Sequence, residues 1–239
     1  MKQQFAAFID DLKSTHGRNL VSVVLYGSAA AGDFVANKSD YNVLVVLDRI
    51  GPADLRNAHA CMREWHKLGH PVPVYFTAEE LHDAADVFPI EFRQMERARK
   101  VVFGRDVLAD VQISNENLRH QAEYELRSKL ILLRRQYIPA SASVEGLAIL
   151  MSESLSSFAA LFRGVLLLFG VDPPSDKHGT IALAVDRLGL DGVAFEKIFN
   201  IRENNFETNL TEVEANRLFA EYMEQIERVI DAVDALDKS

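Results

Sequence analysis

The pattern of hydrophobic and polar positions changes character near the middle of the chain. In the first half, short apolar runs alternate with stretches of helical period. The apolar runs predict strands at about 20–26, 41–47, 72–76 and 100–103. The helical patterns predict helices at about 2–15, 52–68, 88–98 and, after a capping box at Thr77 and Glu80, a short helix. This alternation predicts an α/β (α+β) domain at 1–112, with a small mixed sheet and flanking helices.

The order of the strands is constrained by one proline. Pro73 stands inside the third apolar run and has no N–H to donate to a sheet ladder. We therefore expect the strand at 72–76 to lie at an edge of the sheet, or Pro73 to lie at the start of that strand.

The second half of the chain has only helical patterns. Apolar residues recur at helical spacing, and caps and breakers divide them into separate helices. The predicted helices span about 114–138, ending before Pro139, then 143–169, 177–188, 192–203 and 211–236. They predict an all-α bundle of four to five helices at 113–239.

Composition and charge narrow the classes of function. The chain has 239 residues and a net charge of −9, which argues against broad nucleic-acid binding because that needs a basic surface. Its single cysteine, Cys61, excludes an internal disulfide and fits a reducing cytoplasm. We find no apolar run that approaches membrane-spanning length, so we expect a cytoplasmic protein that does not enter a membrane.

The candidate chemistry lies between the first two predicted strands, at 25–48. Gly27-Ser28 follows the first strand, and Ser39-Asp40-Tyr41-Asn42 precedes the second. Backbone N–H groups of a turn that opens a helix can hold phosphate, and glycine lets a ligand approach the backbone closely. A carboxylate at Asp40 could hold a metal ion beside that phosphate.

This layout resembles the nucleotidyltransferase superfamily related to DNA polymerase β, especially its minimal nucleotidyltransferase branch. The family pattern is an apolar strand, Gly-Ser, a spacer, and Asp-x-Asp on the next strand. The resemblance implies a polymerase-β-like sheet, a nucleoside triphosphate bound by Gly27, Ser28 and Ser39, and Mg²⁺ held by Asp40 and position 42. It also implies transfer of a nucleoside monophosphate to an acceptor, which the sequence does not identify, with Asp40 as the catalytic carboxylate.

The chain departs from the family pattern at the second carboxylate. Asn42 stands where the second Asp is expected, and the run Val72–Phe76, where a third acid would lie, contains none. One missing unit charge about 4 Å from another charge is worth about 4 kcal/mol at an effective dielectric near 20. Two readings follow: a weak or degenerate transferase, or a catalytically inactive protein that binds a nucleotide or a partner and regulates it, as an antitoxin does.

Helical domains accompany such nucleotidyltransferase domains in two settings. In antibiotic nucleotidyltransferases the helices carry acceptor-binding residues, and in HEPN/MNT toxin–antitoxin pairs the bundle is an RNase with an Arg-x4-His motif. Here Glu207 stands five residues after Arg202, in place of the histidine base that RNA cleavage needs. RNase activity is therefore unsupported, and a protein partner or a second copy could bind through the helical domain.

The remaining charged residues of the chain are read as solvated ion pairs. Arginines at 93, 97, 127 and 134 could in principle contact a triphosphate. They are interspersed with Glu91, Glu96, Glu123 and Glu125, a pattern typical of ion pairs on exposed helix faces.

Overall fold

A computed structural model describes residues 2–31, 40–174 and 176–236 of the chain. The chain forms two compact units, Met1–Ser114 and Asn115–Ser239. The first unit is mixed α/β and the second is all-helical, so the predicted fold class is confirmed.

The first unit contains a four-stranded mixed sheet in the order β3-β2-β1-β4. The strands are β1 Leu20–Tyr26, β2 Asn42–Leu47, β3 Val74–Thr77 and β4 Arg99–Gly104. Strand β1 pairs antiparallel with both β2 and β4, whereas β3 runs parallel to β2. Strand β3 lies at an edge and starts just after Pro73, as the missing N–H of that residue predicts.

One face of this sheet packs on α1 Lys2–His16 and α4 His59–Lys67, which come from either side of β2 in sequence. Helix α3 Pro52–Asn57 has no buried residue and contacts α1 and α4. Trp65 is 2% exposed, stacks on Phe8 with ring centroids 4.0 Å apart, and donates its indole N–H to the Pro71 carbonyl. The predicted single helix at 52–68 is wrong in one respect, because Ala58 separates two helices.

The opposite face of the sheet packs on α5 Ala78–Asp83 and α6 Pro89–Arg97. The capping box of α5 has the predicted form: Thr77 Oγ1 accepts from the Glu80 backbone N–H, while Glu80 accepts from the Thr77 N–H. Because side chains alternate along a strand, alternate positions of β1 and β2 point to this face, and Val24, Leu44 and Val46 are fully buried there.

The second unit consists, in its described part, of five helices. They are α7 Asn115–Ala140, α8 Val144–Leu168, α9 Lys177–Leu188, α10 Val193–Glu203 and α11 Glu212–Ala235. Helix α7 does not end before Pro139 as expected but includes it. A proline removes one backbone hydrogen bond, and near a helix end this loss is confined to the last turn, which continues with Ser141 N donating to Tyr137 O.

Helix α8 corrects the expectation that no apolar run approaches membrane-spanning length. Among the described residues, this one helix is long and apolar enough to cross a membrane by length and composition, with a mean hydropathy of 1.3. Its most apolar side chains, such as Met151, Leu155 and Phe162, are fully buried within the helical unit. The apolar character of α8 is thus used for packing in the core of this unit.

Candidate active site

The turn after β1 is shaped by Gly27. Its φ is +75°, the left-handed region in which a residue with a Cβ is strained. The Gly27 N–H donates to the Ala98 carbonyl (3.0 Å) just before β4, and its own carbonyl accepts from the Ala30 N–H (2.9 Å). These two bonds fix the backbone between β1 and the short helix α2, Ser28–Ala31.

Asn42 lies directly against this turn. It is the first residue of β2 and pairs with Tyr26, the last residue of β1. A Cβ placed on Gly27 would lie 3.3 Å from Asn42 Nδ2, so the glycine leaves just enough room for the amide. Gly27 and Asn42, two of the predicted site residues, are therefore neighbours in space.

Asp40 is exposed and precedes β2 by two residues. Burial of the His70 imidazole lowers the pKa of His70. The negative charge of Asp40 raises that pKa, but this effect is smaller than the effect of burial. Ser28 opens α2, and only its backbone is described; Ser39 lies outside the described residues. Of the predicted set, the structure thus brings Gly27 and Asn42 together, and it leaves the roles of Ser28, Ser39 and Asp40 as predictions.

Strand β3 carries no acid at the positions beside Asn42. Val74 is the register partner of Leu44, and Tyr75 and Phe76 follow it. Val74 and Phe76 line the same cavity as Asn42, so the positions of β3 from which a further carboxylate could reach that cavity are apolar.

The cavity next to Asn42 has a volume of about 490 Å³, within the range of small-molecule sites. Apolar side chains of β3 and of α6 form much of its lining. Polar side chains come from the sheet and from α6: Tyr26, Asn42, Glu91 and Gln94. The contribution of α6 was not predicted from the sequence, where Glu91 is interpreted as an acid in an exposed ion pair. The spacing of Glu91 and Gln94, three apart, shows only that they share a helix face.

Tyr26 and Glu91 interact electrostatically. Burial of the Tyr26 phenol raises its pKa, and the negative charge of Glu91 raises it further. The carboxylate of Glu91 therefore acts on the residue of β1 that pairs with Asn42.

Oxygen ligands of the types that Mg²⁺ prefers occur near this end of the sheet, as carboxylates at Asp40 and Glu91 and an amide at Asn42. Asn42 and Glu91 line the cavity, whereas Asp40 is not part of its described lining and acts electrostatically on His70. Within the described ranges, no group of three or more His, Cys, Asp or Glu residues is arranged to hold a metal ion. The chemistry of these residues fits one Mg²⁺ ion that shares its ligands with a substrate phosphate, as Mg²⁺ commonly does.

Three of the four arginines considered as triphosphate ligands are ion-paired. Arg127 binds Glu123 at 2.7 Å and Arg134 binds Glu227 at 2.6 Å within the helical unit. In the first unit, Arg93 binds Glu96 at 2.8 Å. These pairs agree with the reading as solvated ion pairs.

Comparisons with known proteins support the architecture. No model of a known protein family matches the sequence, and no curated protein matches it. Among solved structures, the chain is similar to the spectinomycin adenyltransferase AAD(9) from Enterococcus faecialis, determined with ATP and spectinomycin. The TM-score is 0.57 at 11% identity, over 96% of this chain and 99% of the other. At this identity the likeness is one of fold, and it supports the mixed α/β unit followed by a helical unit.

Proposed function

We propose that the protein is a nucleotidyltransferase that binds a nucleoside triphosphate and Mg²⁺ at the turn after β1. In this proposal Gly27, Ser28 and Ser39 bind the triphosphate, and Asp40 and Asn42 hold the metal ion. The nucleoside monophosphate is transferred to an acceptor hydroxyl or similar nucleophile.

One observation carries the proposal. The left-handed Gly27 lies against Asn42, with 3.3 Å between its Cβ position and Asn42 Nδ2, and Asn42 lines a cavity of about 490 Å³. The Asn42 amide has donor hydrogens on nitrogen and an acceptor oxygen. Beside a backbone without a Cβ, such an amide can interact with a phosphate and, through its oxygen, with a metal ion. The fold shared with an adenyltransferase that was determined with ATP supports this reading and makes ATP the first nucleotide to test.

The chemistry proposed is a single displacement at phosphorus. An acceptor oxygen forms a bond to the α-phosphorus, the bond between that phosphorus and the pyrophosphate oxygen breaks, and the acceptor proton passes to a carboxylate or to water. When bound, Mg²⁺ neutralises charge on the phosphates. The protein aligns the reactants: the Gly27 turn positions the triphosphate, and Asp40, as the catalytic carboxylate, orients the reacting groups with Asn42.

Calorimetric titration with MgATP and the other triphosphates, followed by an assay for pyrophosphate release, tests the proposal. We expect binding that requires Mg²⁺ and is lost in Asp40→Ala, together with slow pyrophosphate release once an acceptor is supplied. A wild-type protein that binds none of the triphosphates with Mg²⁺ would refute it.

A second candidate function is favoured by the reduced charge at the site. Asn42 is neutral, and β3 offers Val74 and Phe76 where a carboxylate could reach the cavity. These features suit a catalytically inactive protein that binds a nucleotide and regulates a protein partner, or a second copy of itself, through the helical unit. Nucleotide binding without pyrophosphate release across a panel of hydroxylated and amine-bearing acceptors would select this alternative.

A further inference from the structure

Helix α6 contributes a carboxylate to the cavity, whereas the described strand residues that line the cavity contribute none. Glu91 lines the same cavity as Asn42, yet it comes from a helix that packs across the face of the sheet. We propose that Glu91 is a ligand of the Mg²⁺ ion and supplies the negative charge that Asn42 lacks. This inference rests on the proposed function, because it assigns a further ligand to the same metal–nucleotide site.

The position of Glu91 is fixed by the packing of its helix. Pro89 starts α6, and Phe92 and Met95 are 2% and 5% exposed against the sheet face that contains Val24 and Leu44. Phe92 also approaches Phe76 of β3, with ring centroids 6.1 Å apart. Glu91 is adjacent to the buried Phe92, so its backbone is held by this packing while its side chain remains exposed at the cavity.

The neighbours of Glu91 connect it to the turn after β1. Tyr26 lines the cavity between the two groups: it is paired with Asn42 in the sheet and lies within the electrostatic influence of Glu91. Asn42 in turn lies against Gly27. A cation beside the Asn42 amide would therefore lie in this cavity. Among the described residues that line the cavity, Glu91 carries the carboxylate.

Charge balance explains why a helix carboxylate suits this site. Asp40 and Asn42 together bring one negative charge, whereas two negative charges neutralise one Mg²⁺ ion before the phosphates are counted. Because β3 is apolar where it lines the cavity, a second charge has to come from an element that faces the sheet. Of the polar lining residues from α6, Gln94 is neutral and Glu91 is charged.

The experiment measures metal binding directly, with Mn²⁺ as a paramagnetic probe for Mg²⁺ and an ATP analogue whose α,β bridge is methylene. Electron paramagnetic resonance measures the concentration of free Mn²⁺ in the presence of wild type, Glu91→Gln or the control Glu96→Gln. The control removes an equal charge from the same helix, at a residue paired with Arg93 and not part of the described cavity lining.

We expect Glu91→Gln to weaken Mn²⁺ binding in the nucleotide complex by about tenfold or more, since a charged ligand is lost. We expect Glu96→Gln to remain within about twofold of wild type, because exposed ion pairs contribute little. In the double variant Asn42→Asp, Glu91→Gln, we expect metal binding to return, because the charge is restored on the other side of the site. A residue that only supports folding would not be rescued in this way.

The outcomes separate this inference from the proposed function. If wild type binds Mn²⁺ and nucleotide and both single variants bind as wild type does, Glu91 is not a ligand and the proposed function stands. If the double variant stays as weak as Glu91→Gln, the charge argument is overturned. If wild type binds no nucleotide with Mn²⁺, both proposals are refuted.

Discussion

Replacing Gly27 by alanine probes the turn on which the proposed site depends. The substitution adds one methyl group to a residue with φ of +75° and places that methyl 3.3 Å from Asn42 Nδ2. It changes no charge and removes no hydrogen-bonding group. Any loss of nucleotide binding must therefore come from the backbone conformation or from the space that the methyl occupies.

The two contributions have different sizes and different consequences. The left-handed conformation costs an L-residue about 1–2 kcal/mol, which lowers the free energy of unfolding but leaves a domain of ordinary stability folded. The contact at 3.3 Å requires Asn42 to move by a few tenths of an ångström or to rotate its amide away. That movement has little effect on stability, but it alters the position of a proposed metal ligand.

A matched control separates these effects. Gly69 has φ of +87°, and a Cβ there would have no heavy atom within 4 Å, so Gly69→Ala has the backbone cost without the contact. Urea unfolding should show a loss of about 1–2 kcal/mol for both variants. Calorimetry with MgATP should show at least about a tenfold loss of affinity for Gly27→Ala alone, equivalent to about 1.4 kcal/mol. Equal affinity in the two variants would refute the assignment of Gly27 to the nucleotide site.

Three further predictions concern the strands, the pH dependence and the missing charge. Gly104→Ala should lower the free energy of unfolding in urea by about 3 kcal/mol or more, because the new Cβ would lie 2.0 Å from the Val21 carbonyl oxygen; a smaller loss would mean that β4 can shift freely. Burial lowers the pKa of His16 below 6.5, so the native state binds fewer protons than the unfolded one, and stability should fall as pH drops from 6.5 through the folded-state pKa. His16→Gln should flatten that dependence in urea titrations at pH 5 and 7.5, and an unchanged slope would contradict it. Asn42→Asp should strengthen Mg²⁺ binding, measured by calorimetry, by about tenfold or more, because it adds one negative charge beside the ion; no gain would favour the partner-binding alternative.

Much of the fold follows from local sequence signals. The missing N–H of Pro73 correctly predicted that β3 lies at an edge of the sheet, and the capping box predicted at Thr77 and Glu80 opens α5. The errors have separate causes. Helix α7 includes Pro139 because the lost hydrogen bond falls in the last turn of the helix. The length and mean hydropathy of α8 go with burial of its apolar side chains in the core of the helical unit.

The site could be predicted only in part, for a geometric reason. Gly27 and Asn42 come from adjacent strands joined by one connection, so their proximity follows from the pairing of Tyr26 with Asn42. The role of Glu91 depends on how α6 packs across the sheet. That packing is set by Phe92 and Met95 against Val24 and Leu44, contacts between residues far apart in sequence, which no local pattern reveals.

The pleat of β2 links these observations. Positions 42, 44 and 46 point to one face of the sheet; Leu44 and Val46 are buried beneath α5 and α6, and Asn42 lies where that cover ends. A residue at position 42 is therefore presented to a cavity bounded by α6, whichever side chain it carries. Charge in this cavity can therefore come from β2 or from α6. Because Asn42 is neutral, the proposed cation site depends on the Glu91 carboxylate, and hence on the packing of α6 against the sheet.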